Sequence, residues 1–194
     1  NDVFEMFLPD VKIGFDKRFA MSNVVSSNEN NDDIISRLTL LFDGDNPDIA
    51  YKSLKELKFS NEIVTCVTQL VSHCNNPLPL NKYEMKLLMS KFSTEQMNRL
   101  IFINKCKAKR FGEESSEFAD VLKAKCIFDE ILSNGECYSL KQLKINGNDL
   151  MERGVPHGKD VGNILNKILD MVVNEQLEND RLALLEMADE IIGG

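Results

Sequence analysis

Residues 145–168 read INGNDLMERGVPHGKDVGNILNKI, and this stretch sets the pattern for the chain. Apolar side chains recur at three and four: Leu150 and Met151 before the glycines, then Val161, Ile164, Leu165 and Ile168 after them. That period predicts a short helix and a long helix joined by a tight corner. Gly154 and Gly158 bracket the corner, where backbone outside the usual regions favours glycine. The long helix is predicted to begin at Lys159. Its first amides have no intrahelical partners and carry the positive end of the helix dipole, so the corner suits a phosphate. Gly162, one turn on, removes a side chain where another helix or a sugar-phosphate backbone could approach. The arrangement is akin to helix-hairpin-helix devices that grip nucleic-acid backbone without reading bases. A glycine-rich corner between two packed helices accounts for the same spacing.

Working outward, almost every segment between turn residues repeats the helical period, and alternating β-branched runs are absent. The fold class is all-α with no sheet: a multi-helix body followed by a helical tail, with antiparallel neighbours implied by connections of two to four residues. Asp32 or Asp33 is expected to cap a helix to Phe42, Asn46 and Pro47 to start one reaching Phe59, and Ser60 to cap one reaching His73. After the break at Asn75, Asn76, Pro77 and Pro79, a helix is predicted over 82–91. Ser93 to Gln96 then offers a capping box for a helix reaching about Phe111. A long helix over 117–132 should end at Asn134 and Gly135. A short segment at 139–143, a turn at 146–148, a short helix to Glu152 and a final pair over 159–174 and about 180–192 complete the chain. Residues 112–116 form a polar, acidic hinge, so the expected domains are a body over 1–111 and a tail over 112–194.

Among 194 residues, 43% are hydrophobic and the formal net charge is −8. Such a chain can fill a core, and its acidity argues against indiscriminate binding to polyanions. The charge is unevenly spread. Residues 82–110 carry 8 basic and 2 acidic side chains, and residues 139–167 carry 5 and 3. Projected on a helix, Met97, Leu100, Ile101, Ala108 and Phe111 fall on one stripe. Arg99, Lys105, Lys107, Lys109 and Arg110 spread over the other side, which is expected to be positive and to face solvent. Two basic segments in an acidic background fit local binding to a phosphate backbone, although charge that merely solvates a helix fits as well.

No apolar run approaches the ~20 residues needed to span a bilayer. Five cysteines without a CxxC pair suggest reduced, mostly buried thiols in a reducing, cytoplasmic setting. Asp43, Gly44 and Asp45 lack the further oxygen ligands of a calcium loop and are expected to form a polar interhelix turn. The only histidines, His73 and His157, build no catalytic arrangement, and a Walker loop and a dinucleotide fingerprint are absent. No catalytic or metal-binding residue is expected. The start, which lacks a Met, suggests the inside of a longer chain.

Residues 143–187, LKINGNDLMERGVPHGKDVGNILNKILDMVVNEQLENDRLALLEM, resemble the C-terminal signature of bacterial-type (class II) CCA-adding enzymes, the tRNA nucleotidyltransferases. The shared pattern is a hydrophobic residue, Asn146 and Gly147, then Asp149 and Leu150. Gly154, Gly158 and Gly162 follow, and then Leu177, Asn179 and Arg181 before a short apolar helix. Phe7, Leu8 and Pro9, with Leu57 to Asn61, resemble the family's body region more faintly.

The resemblance implies a helical body and tail that hold the tRNA acceptor stem, T arm and elbow by backbone contacts, while an N-terminal head of the same polypeptide adds C, C and A. It implies that this chain alone transfers no nucleotide and holds no cofactor. Mg2+ and CTP or ATP belong to the head, whose Gly-Ser turn and carboxylate pair are not found here. Expected RNA contacts are Arg99, Lys105, Lys107, Lys109, Arg110, Lys141, Lys144, Arg153, Gly154, Gly158, Lys159, Gly162 and Asn163. On the residues alone, a DNA-backbone-binding module of a repair protein and a protein-interaction domain without nucleic acid stay open.

Overall fold

The computed structural model describes residues 8, 11, 14–26 and 34–193, apart from the side chains of residues 25 and 26. Among them the fold is all-α, with ten α-helices and no strand. In chain order these are α1 (Phe15–Ser26), α2 (Ile34–Leu41), α3 (Pro47–Glu56), α4 (Asn61–Val71), α5 (Lys82–Met89), α6 (Thr94–Ala108), α7 (Ser116–Ser133), α8 (Gly147–Glu152), α9 (Lys159–Val173) and α10 (Arg181–Gly193). Two 3-10 turns, Lys109–Phe111 and Leu140–Gln142, extend α6 and precede α8. No helix among the described residues is long and apolar enough to cross a membrane.

Local chemistry explains most boundaries. Asn46 Oδ1 accepts from the Asp48 amide with Pro47 at the first helical position, and Ser60 Oγ accepts from the Ile63 amide. Ser93 and Gln96 close a reciprocal capping box at the start of α6. Each such cap satisfies an otherwise orphaned donor and is worth about 1 kcal/mol. The caps expected at Asp32 or Asp33 lie outside the described residues, as do Phe7 and Pro9. The turn expected at 146–148 is instead the start of α8. Asn146 caps it, and Asp149 Oδ2 accepts from the Asn146 amide at 2.7 Å.

The chain divides into two compact units that are discontinuous in sequence. Unit one comprises residues to Leu80 with Phe92–Cys126, and unit two comprises Asn81–Lys91 with Ile127–Gly194. A boundary at 111/112 and this division therefore differ: α5 clusters with unit two, and the first part of α7 with unit one. In unit one, α3 and α2 pack on α4, and α6 packs against α1, α2 and α4. Phe42, Ala50, Leu54 and Val67 are fully buried there. In unit two, α9 packs against α5, α8 and α10, around Ile145, Leu150, Ile168 and Leu184. Truncating one of these core leucines to alanine costs about 2–5 kcal/mol.

Candidate nucleic-acid interface

In unit two the chain approaches its glycine corner as an extended segment. Leu143 and Ile145 are buried while Gln142, Lys144 and Asn146 are exposed, the alternation that extended backbone imposes. Residues much later in the chain hold it. Asn179 Nδ2 donates to the Gln142 carbonyl at 2.9 Å and its Oδ1 accepts from the Lys144 amide at 3.1 Å. Arg181 donates to the Lys144 carbonyl at 3.2 Å and to Asp149 Oδ1 at 2.5 Å. Hydrogen bonds from Arg181 and from the Asn146 amide hold the Asp149 carboxyl below the usual carboxylate range. Gly147 lets α8 and α9 approach, since a Cβ there would stand 3.1 Å from Val161 Cγ1.

The corner follows at once. Gly154 has φ +87° and Gly158 φ +140°, both in space that L side chains rarely adopt. Val155 is buried and tied by its amide to the Leu150 carbonyl at 3.1 Å. Pro156, His157, Gly158, Lys159 and Asp160 are exposed. Gly158 is the N-cap of α9 and supplies no side-chain hydrogen bond, so the first-turn amides keep their donors, with about half a positive charge behind them. Nothing stands within 4 Å of a Cβ built on Gly162, so the side of α9 at that position is open rather than packed. Asp160, in the same first turn, weakens the local positive potential.

Four lysines flank this corner in the sequence. Lys141, Lys144, Lys159 and Lys167 are all exposed, and among the described residues none of them makes an ion pair. Asn163 is exposed as well. Lys167 was not singled out from sequence; its spacing two turns after Lys159 on a helix whose apolar side is Ile164, Leu165 and Ile168 was the available signal. Arg153 is committed elsewhere. Its Nε lies 2.8 Å from Asp189 Oδ1, an ion pair without hydrogen-bond alignment, and its Nη1 points to the Asp149 carbonyl at 3.5 Å.

The basic stretch over 82–110 behaves differently, and the expectation of a positive, solvent-facing side of α6 is corrected. Arg99 is only 9% exposed and pairs with Glu95 at 2.6 Å. Lys107 Nζ lies 2.7 Å from Asp43 and 2.9 Å from both the Cys74 carbonyl and Asn75 Oδ1, which uses all three ammonium protons. Arg110 meets Asp16 at 2.5 Å and lies over the Phe111 ring. Lys105 is half-buried and has a partner of its own. Lys109 is half-buried without an ion pair among the described residues. A single-helix projection fails here because three helices pack around α6 and bury Met97, Phe102, Ile103 and Cys106 together. At the other end of the stretch, in unit two, Lys82 bridges Glu130 and Glu136 at 2.8 and 2.9 Å, and buried Lys86 meets Glu136 at 2.8 Å. Burial favours the protonated form of Glu136, yet hydrogen bonds from Lys86, Lys82 and Asn134 outweigh it and bring the carboxyl down to about 2.

Other groups noted in the sequence are structural. Asp45 pairs with Lys17 at 2.6 Å, so both carboxylates of the 43–45 turn answer lysines. Burial, then the charge of Asp43, pushes the Cys74 thiol up to about 12 and keeps it protonated. His73 Nδ1 lies 2.8 Å from Ser72 Oγ, and its ring packs edge-on against Phe92. Unit one also has a cleft of about 750 Å3 lined by Phe15, Leu78, Leu80 and Phe111. Asp16, Asp43, Glu117 and Asp120 share its lining with Lys17, Lys107 and Arg110, and each of these cations is already paired with a carboxylate, which leaves little positive charge there for a phosphate. No group of three His, Cys, Asp or Glu side chains among the described residues is placed to hold a metal ion.

No curated protein and no solved structure matches this chain. A family match covers the end of α1, every helix from α2 to α9 and much of α10. Residues 26–188 fit the family described as tRNA nucleotidyltransferase domain 2, putative, and the chain belongs to that family.

Proposed function

We propose that unit two grips the ribose-phosphate backbone of tRNA, with the open amides at the start of α9 on one phosphate and Lys141, Lys144, Lys159 and Lys167 on its neighbours. The observation that carries this reading is the exposed, uncapped first turn of a 15-residue helix among lysines that have no acidic partner among the described residues. Helical RNA has a major groove too deep and narrow to read, so a protein serving many tRNAs gains most from phosphates, shape and 2′-hydroxyls. Backbone amides and lysines supply such contacts. Gly154, Gly158, Gly162 and Asn163 leave room for the strand.

In this reading the chain holds the acceptor stem, T arm and elbow for CCA addition at the 3′ end. Nucleotidyl transfer, with Mg2+ and CTP or ATP, belongs to a head domain of the same cytoplasmic polypeptide. Catalysis by this chain would be positional: a held substrate turns a bimolecular encounter into an effectively unimolecular step. The test is binding of a tRNA transcript across a salt series. The logarithm of affinity should fall linearly with the logarithm of salt, by roughly 0.7–0.9 per phosphate contact. Duplex DNA competing as well as tRNA would point to a DNA-backbone module. Absence of binding at low salt by the folded chain would favour a protein-interaction domain.

A further inference from the structure

We propose that Asn179 and Arg181 are positioning residues for RNA contact: by clamping the backbone of residues 142–144 they fix the outward presentation of Lys141 and Lys144. This rests on the reading of unit two as an RNA grip and adds which residues set its lysines. Asn179 bridges the Gln142 carbonyl and the Lys144 amide, at 2.9 and 3.1 Å, across the single buried residue Leu143. The Arg181 guanidinium bridges the Lys144 carbonyl and Asp149, at 3.2 and 2.5 Å. Asp149 in turn accepts from the Asn146 amide at 2.7 Å. Gln142 extends the lock towards Lys141, since its Oε1 accepts from the Tyr138 amide at 3.0 Å and the Ser139 hydroxyl at 2.9 Å.

Every backbone polar group of Lys144 is therefore held by a side chain at least 35 residues away. Leu143 and Ile145 anchor the segment from the core side. A lysine on such a track loses little backbone freedom when it meets a phosphate, whereas on a loose loop that ordering would oppose binding. A planar guanidinium suits the bridging role, because one rigid fork reaches two acceptors, which an ammonium on a flexible stem does not hold in fixed relation.

The experiment measures binding of a tRNA transcript by the full chain over a salt series, at a temperature where circular dichroism shows each variant folded. Lys144→Ala and Lys159→Ala are each made alone and in Asn179→Ala, Arg181→Ala and Arg181→Lys backgrounds. Alone, each lysine substitution should lower the log–log slope by about 0.7–0.9. In all three clamp backgrounds Lys144→Ala should lower it by less than about a third of that, while Lys159→Ala keeps its full effect. General loosening would diminish both lysines equally and would overturn the inference. So would an undiminished Lys144→Ala effect in any of these backgrounds. Should both lysine substitutions be silent in the otherwise unaltered chain, the RNA grip itself fails and this inference falls with it. Arg181→Lys and Asn179→Ala carry the test if Arg181→Ala does not fold.

Discussion

Residues 82–110 hold 8 basic side chains against 2 acidic ones, and residues 139–167 hold 5 against 3, yet the larger excess is the one the fold neutralises. Lys82 and Lys86 answer glutamates of unit two, while Arg99, Lys107 and Arg110 answer carboxylates of unit one. Around the glycine corner, four lysines have no such partner among the described residues. Formal charge along a sequence thus says little about a binding surface until intramolecular partners are counted. A cation with its protons already spent on protein oxygens, as Lys107 has on Asp43, Cys74 and Asn75, holds the fold together and must break those bonds before it can meet a phosphate.

Substituting the two sets of cations should separate them most sharply. Replacing Lys141, Lys144, Lys159 and Lys167 together with alanine should lower the salt slope of tRNA binding by about 3, at 0.7–0.9 per contact. The same change at Lys105, Lys107, Lys109 and Arg110 should lower it by less than about 1. Fluorescence anisotropy over a salt series reads both, and equal losses would erase the distinction drawn here.

Stability should rank the sets in reverse. Lys107→Ala strands Asp43, whose side chain is 14% exposed, and should cost about 1–3 kcal/mol in denaturant unfolding. Lys159→Ala should stay within about 0.5 kcal/mol. Acid offers a second measure of the paired set. Glu136, brought down to about 2 against an ordinary 4.5, binds fewer protons folded than unfolded. Its contribution is whole above about pH 4.5 and is lost as pH falls towards 2. Glu136→Gln should flatten that part of a stability-versus-pH curve, and an unchanged curve would show that the Lys82 and Lys86 pairs contribute nothing.

The smallest effect expected is a gain. Asp160→Asn removes the exposed carboxylate from the first turn of α9 and should tighten tRNA binding about two- to five-fold at low salt, within the usual range for a charge at a helix end. A loss of affinity there would mean that the start of α9 faces away from the RNA.

Much of the fold was legible because its signals are local. Asn46 with Pro47, Ser60, and Ser93 with Gln96 mark helix starts through hydrogen bonds closed within three residues. The unusual backbone expected at Gly154 and Gly158, which takes the form of positive φ, follows from what sterics forbid to other residues. The signature pattern was visible too, but its physical work was not. Asn179 and Arg181 act on Lys144 from 35 and 37 residues away, and sequence spacing carries no distance information at that range.

By itself, then, the sequence determined most of the helices after residue 34, several of their starts, and that glycines shape the corner before α9, because such choices depend on backbone sterics and hydrogen bonds between near neighbours; α1, over Phe15–Ser26, was not read from it. Only the tertiary structure decided which cations are consumed, that α5 clusters with the C-terminal unit, and that α6 is buried on several sides. Those outcomes depend on which distant side chains arrive at each surface. A carboxylate 2.7 Å from an ammonium, as Asp43 is from Lys107, cancels a charge that composition counts in full.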